Sequence, residues 1–151
     1  MKQLYALLLL ILAAAAFTAC DKDQKTLNQL DGTWQIKQVT HLKQDTTKLP
    51  SSGSITFTKC DLDGAAKSCP ATYTFGSQPI NDLTYNVSEK GKSLGMFHKG
   101  PYNTYNLSDM YSIVQRNDDR LELEGDIIVL RTPAGANPVT KVIKVSLVLE
   151  R

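Results

Sequence analysis

Leu83-Thr84-Tyr85-Asn86-Val87-Ser88 alternates apolar with polar side chains at every step, and that alternation decides the fold. Successive side chains of an extended strand point to opposite faces, so this stretch has one apolar face and one polar face. The pattern recurs in both directions from it. Ile55 and Phe57 alternate with Ser54, Thr56 and Thr58, and Tyr73 and Phe75 alternate with Thr72 and Thr74. Further on, Leu121 and Leu123 alternate with Glu122 and Glu124, then Ile143, Val145, Leu147 and Leu149 with Lys144, Ser146 and Glu150. Half-buried antiparallel strands read this way.

Turn-forming clusters separate the alternating runs: Ser51-Ser52-Gly53, Ser88-Glu89-Lys90-Gly91, Asn117-Asp118-Asp119, Glu124-Gly125-Asp126 and the run from Pro133 to Pro138. Strands are predicted near 33–41, 53–60, 70–76, 82–89, 92–98, 109–116, 119–124, 126–132 and 139–150. The expected class is all-β, an antiparallel up-and-down meander of eight to nine strands, and a sheet of that size closes into a small barrel because closure removes its exposed edges. Ahead of the strands, Lys25-Thr26-Leu27-Asn28-Gln29-Leu30 predicts a short helical turn leading into Asp31-Gly32.

The chain begins very differently. Lys2 is followed by the apolar run from Leu4 to Leu12 and an alanine run, with no acidic residue before Asp21. A positive start, an apolar middle and small residues before a cleavage point are the layout of a signal peptide. Its last residues, Thr18-Ala19-Cys20, resemble the lipobox of bacterial lipoprotein precursors, although Phe17 stands where Leu is usual. An ordinary secretory signal cut near Ala19, with Cys20 left as a plain thiol, is the competing reading. The resemblance implies cleavage before Cys20 and attachment of acyl chains, palmitate among them, to that cysteine. Two or more chains anchor a protein stably, whereas one holds it only marginally. The chain thus divides into a signal peptide over 1–19, a lipidated N-terminus and tether over 20–30, and the barrel over 31–151.

Residues directly after a lipidated cysteine carry sorting information, and here they are Asp21-Lys22-Asp23-Gln24. Asp in first place resembles the enterobacterial signal for retention at the inner membrane. Short Lys-plus-acidic runs resemble a surface-export signal of another Gram-negative phylum. The second is preferred, which places the protein in the cell envelope at the outer membrane, on its surface or periplasmic face.

The chain has three cysteines, an odd number for an exported protein. With Cys20 assigned to lipid, Cys60 and Cys69 remain as a disulfide pair flanking a turn-rich loop, in a compartment where disulfides persist. Two free buried thiols, or half of a metal site, are the alternatives. The formal charge of +2 includes Lys2, so the body is near neutral and offers no electrostatic basis for binding nucleic acid.

Gly32-Thr33-Trp34, opening the first strand after the helical turn, resembles the Gly-x-Trp motif of the lipocalins. Leu30, Gly32, Trp34 and Ile36 together look closer still to the small lipocalin-like domains of bacterial envelope lipoproteins. The resemblance implies that a basic residue on a late strand packs across the Trp34 ring and closes one end of the barrel, a favourable cation–π arrangement. Arg131, after Ile127-Ile128-Val129-Leu130, is the candidate for that role. It implies a barrel that holds a small hydrophobic or amphipathic ligand. The alternative is a non-enzymatic module that fills its barrel with its own side chains and binds a protein or glycan.

No constellation for catalysis emerges, and the expectation is a protein that is not an enzyme, with no cofactor and no metal. Gly91-Lys92-Ser93 echoes the end of a phosphate loop, but Asn86 stands where that motif needs Gly. His41 and His98 are the only histidines and neither has a metal-ligand spacing around it. No serine sits in Gly-x-Ser-x-Gly. The stretch from Phe97 to Leu107 is longer than a tight hairpin needs and carries Tyr102 and Tyr105. Phe97, Tyr102 and Tyr105 are therefore candidates for a ligand-contact or lid loop at the barrel mouth, set against tyrosines that simply pack back on the rim.

Overall fold

A computed structural model describes residues 22–61, 68–76, 78–100, 104–107, 109–131 and 137–151. The strands are β1 (Gly32–His41), β2 (Gly53–Phe57), β3 (Cys69–Phe75), β4 (Gln78–Ser88), β5 (Ser93–His98), β6 (Tyr105–Asn106), β7 (Met110–Arg116), β8 (Arg120–Arg131) and β9 (Val139–Glu150). Hydrogen bonding runs β8-β7-β5-β4-β3-β2-β1-β9, and β9 then pairs with β8 along its whole length. The sheet is an antiparallel up-and-down barrel of eight strands, closed as the alternation predicts. The two-residue β6 is a ninth strand that continues the line of β7 along the same edge of β8.

β6 and β7 run along the same flank of β8. Asn106 faces Ile128 and Ser112 faces Glu124, so six steps along one chain oppose four along the other. The break between them accounts for the length of the Phe97–Leu107 stretch: part of it is an interrupted strand rather than free loop.

Two boundaries differ from the sequence reading. Residues 22–30 form a helix, α1, whose Thr26, Leu27 and Leu30 are buried, with both leucines in the barrel's own core cluster. Residues 22–30 of the segment expected as a tether therefore belong to the folded body, because side chains three and four apart share one helix face and that face covers the barrel end. Glu124-Gly125-Asp126, expected as a turn, lies in the middle of β8. The alternation continues through it, with Leu121, Leu123, Gly125, Ile127 and Val129 all facing inward.

Gly125 is small for a packing reason. A Cβ built on it would stand 2.8 Å from Cε1 and Cγ of Tyr111, so the ring lies where a side chain would otherwise project. Tyr111 is completely buried and its hydroxyl donates to the Asp126 carbonyl at 2.8 Å. A strand glycine commonly marks such a close approach.

The interior is one continuous apolar cluster. β8 and β9 contribute the directly opposed pairs Leu121–Leu149, Leu123–Leu147 and Ile127–Ile143. Phe57 and Tyr85 meet edge to face with centroids 4.8 Å apart. Tyr85 completes its requirement by donating to the Thr58 carbonyl at 3.2 Å. Buried hydroxyls that find carbonyls in this way keep large rings in the core without an orphaned polar atom.

Candidate functional site

The strands leave two ends to consider. One, the base, is formed by the start of β1, the β2–β3 and β4–β5 connections, the β7–β8 turn and the end of β9. The other, the mouth, is formed by the end of β1, the β1–β2 connection and the far ends of β8 and β9.

At the base, Gly32 has φ +110°, a backbone conformation that side-chain-bearing residues rarely adopt. Nothing would obstruct a Cβ there, so the glycine is required by backbone geometry rather than by space. It turns the chain from α1 into β1 and sends Trp34 inward. The Trp34 ring is fully buried and its Nε1–H donates to the Leu30 carbonyl at 2.7 Å, which ties helix to strand.

The cation that closes this end is Arg151, not Arg131. The Arg151 guanidinium carbon lies 4.4 Å from the Trp34 ring centroid. Its Nη2 donates to the carbonyls of Gln29 and Asp31 at 2.7 and 2.6 Å, satisfying acceptors left at the end of α1. Arg131 is exposed and pairs with Val139 at the mouth end of β8, while Trp34 lies at the base. Register decides the matter: Glu150 opposes Gln35, which brings the residue after it to the Trp34 end.

Further contacts fasten α1 around the rim. Gln24 Nε2 donates to the Cys60 carbonyl at 3.2 Å. The Gly91 N–H donates to Asp23 Oδ1 at 2.6 Å, and a Cβ on Gly91 would collide with Thr26 Oγ1. Arg116 Nη1 donates to Thr26 Oγ1 at 2.6 Å and to the Gly91 carbonyl at 3.3 Å. Partial burial lowers the Arg116 pKa from its ordinary value, since leaving water disfavours the charged form. Cys60 and Cys69 are joined, with Cα atoms 5.5 Å apart, and the bond ties the segment after β2 to the start of β3 beside α1.

At the mouth, β9 extends past β1: His41, the last residue of β1, opposes Val145. The β1–β2 connection fills the remainder. Asp45 pairs with the Lys141 ammonium at 2.8 Å, and Lys141 also donates to Thr47 Oγ1 at 2.8 Å. The Lys141 and Thr47 side-chain hydrogen bonds, then the Thr47 backbone N–H, hold the Asp45 carboxyl well below the usual carboxylate range. Tyr105 donates to the Lys48 carbonyl at 3.3 Å and packs edge-on against Phe75 with centroids 6.0 Å apart. Buried Thr47 and partly buried Leu49 thus lie over the interior as a strap. Beside it, a shallow hollow of about 850 Å³ opens to solvent between His41, Asp45 and Lys141.

Tyr105 therefore packs back on the rim and fastens the strap. Phe97 instead faces outward on β5, about two-fifths exposed. A Cβ on Gly95 would meet the Phe97 ring and Met110 Sδ at 2.8 Å, so those two side chains come together on the outer wall. Tyr102 and Cys20 lie outside the described residues. Among the described residues, no three His, Cys, Asp or Glu side chains converge as a metal site would require.

Three interior tyrosines have raised pKa values, burial being the main cause in each. Tyr73 is pushed up to about 12, partly offset by the Leu107 N–H that its oxygen accepts. Tyr85 rises further, with the Asp31 charge adding to burial. Tyr111 also stands well above its ordinary value, with Asp109, Tyr73 and Asp126 adding to burial. These groups stay neutral across the physiological range and serve as packing and hydrogen-bonding elements.

Sequence reasoning missed Arg151, Tyr111 and the Asp45–Lys141 pair. All three depend on which strands become neighbours. No protein-family model and no curated protein matches this chain.

Proposed function

We propose that this protein is a lipid-anchored envelope lipoprotein whose lipocalin-like barrel is a non-enzymatic interaction module, binding a protein or glycan through its outer surface. The observation that carries this reading is the filling of the interior. Trp34, Phe57, Tyr85, Met96, Tyr111 and the inward leucines of β8 and β9 are fully or almost fully buried and belong to one cluster. A ligand-carrying barrel keeps space among its inward side chains, whereas here large rings and a glycine-seated tyrosine occupy it. The strap over the mouth, fastened by Lys141 and Tyr105, adds to that filling.

The anchor is supported by the layout of residues 1–20 and the lipobox-like Thr18-Ala19-Cys20. The outer membrane is the favoured location, from the residues after Cys20. The barrel's outward groups, exposed Phe97 and Met110 on either side of Gly95 among them, are what a partner would meet.

Native mass spectrometry of the protein extracted from membranes tests the filled interior. A chain carrying only its covalent acyl mass is expected. A stoichiometric copurifying lipid or pigment would overturn the filled-core reading and restore a small hydrophobic ligand. Cell fractionation of Cys20→Ala tests the anchor: the protein is expected to leave the membrane fraction, and unchanged retention would refute lipidation.

A further inference from the structure

We infer that the barrel stands end-on at the membrane, its base and α1 against the lipid headgroups and its strapped mouth directed away. The inference rests on the lipid anchor at Cys20 proposed above and concerns what the fold does with that anchor.

Lys22, the first described residue of helix α1, stands two residues after Cys20 in the chain. Two residues reach about 7 Å at full extension. A flexible tether over 20–30 would have let the barrel roam and tumble above the bilayer. Instead α1 is fixed to the base by the Trp34–Leu30, Gln24–Cys60, Gly91–Asp23, Arg116–Thr26 and Arg151–Gln29 hydrogen bonds, which arise from all around the rim. The acyl chains are therefore held within two residues' reach of the base.

The chemistry of this face suits headgroups. Lys22 and Lys25 are exposed on α1, and Lys90 and Lys92 are exposed on the β4–β5 turn. The turn is seated on α1, since Gly91 lies against Thr26 and the Lys22 carbonyl. Near the start of the helix the opposing charges include exposed Glu89, exposed Asp61 beside the Cys60 carbonyl that Gln24 reaches, and half-buried Asp23, whose carboxylate already accepts from Gly91. Asp118 and Asp119 lie towards the opposite side, where the Arg151 N–H donates to the Asp119 carbonyl. Lysines grouped where the chain leaves for Cys20 favour a surface of anionic lipid.

Orientation then follows from barrel dimensions. β9 has 12 residues. At about 3.3 Å each, and with the usual strand tilt, the mouth stands roughly 30 Å beyond the base. The His41–Lys141 hollow and the strap face outward, and Phe97 and Met110 are carried on the side wall.

Trp34 is the only tryptophan and lies at the base, so it serves as a built-in gauge. The lipidated full chain is reconstituted into vesicles of phosphatidylethanolamine and phosphatidylglycerol carrying a dansyl group on a fraction of headgroups. Energy transfer from Trp34 is compared with that of a variant bearing about 20 Gly/Ser residues between Asp21 and Lys22, whose root-mean-square reach is about 25 Å. The insertion precedes every described residue of the helix and barrel. The expected result is that both proteins float with the vesicles while transfer falls several-fold in the longer-tethered variant. Equal transfer in the two floating proteins overturns the end-on placement and leaves the anchor standing. If the wild-type chain does not float, as Cys20→Ala is expected not to, the anchor itself fails and the placement with it. A second donor position, Trp34→Phe with Val139→Trp at the mouth, is expected to transfer weakly; transfer as strong as from Trp34 overturns the orientation.

Discussion

Replacing Gly125 by alanine adds one methyl group to an exposed-looking stretch, Glu-Gly-Asp, that sequence alone reads as a turn. The structure puts that methyl 2.8 Å from two carbons of the Tyr111 ring, well inside contact distance. Tyr111 has little room to yield, being completely buried and hydrogen-bonded to the Asp126 carbonyl. Overpacking of this kind costs about 1–3 kcal/mol. Restricting the unfolded chain by Gly→Ala returns about 0.4–1 kcal/mol. The expected net loss for Gly125→Ala is thus about 1–2 kcal/mol. Tyr111→Ala alone is a large-to-small core change, worth about 3–5 kcal/mol. In that background the added methyl enters vacated space, so Gly125→Ala is expected to be neutral or stabilising. The pair should show a coupling of about 1–3 kcal/mol, within the range for residues in contact. Equilibrium urea unfolding followed by Trp34 fluorescence measures all four proteins, with a common m value confirming that stability alone has changed. A Gly125→Ala protein as stable as wild type, or one destabilised equally with and without the Tyr111 ring, refutes the account of β8 as a continuous strand with a ring seated on its glycine.

Arg151→Ala is expected to cost about 1–2 kcal/mol through loss of the cation–π contact and two hydrogen bonds, whereas exposed Arg131→Ala should stay within about 0.5 kcal/mol of wild type. The reverse order in urea unfolding would return the closing role to Arg131. Cys60→Ser should lower stability by about 2.5–3 kcal/mol under oxidising conditions, from loop-closure entropy, and match the wild type in reductant; a gap that persists in reductant would point to another cause. The buried tyrosines make stability depend on alkaline pH. Their folded pKa values are raised, so the unfolded chain loses phenolic protons first: stability should be level below pH 10 and fall as pH rises through the Tyr73 value of about 12. Unfolding midpoints across that range, with tyrosinate absorbance as the companion signal, check it, and a flat profile would remove the buried-phenol account.

The strands were legible because alternation is a local property. Leu83, Tyr85 and Val87 point inward as read, and Trp34 takes the core position that its motif implied. The cysteine count identified the Cys60–Cys69 pair. What escaped depends on register between distant strands. Arg151 reaches Trp34 only because Glu150 opposes Gln35, and no pattern within either strand encodes that offset. Gly125 was misread for a related reason: Glu-Gly-Asp carries turn chemistry, but a ring from β7 makes the glycine a strand residue. The helix was legible in part. Thr26, Leu27 and Leu30 have helical spacing, yet the covered barrel end that holds residues 22–24 helical as well is a tertiary surface.

Closure of the barrel through β9 also sets the order in which the molecule can become itself. β1 is among the first segments made, but one of its edges is paired by residues 145–150, and the Trp34 ring waits for Arg151. Until residues 145–151 emerge, the growing chain has an open sheet with two unpaired borders and an uncovered apolar interior. Contacts so distant in sequence are slow to form, because their loop entropy is lost before any pairing energy is gained. A chaperone that holds the incomplete sheet would therefore act on this chain until residues 145–151 reach β1 and Trp34.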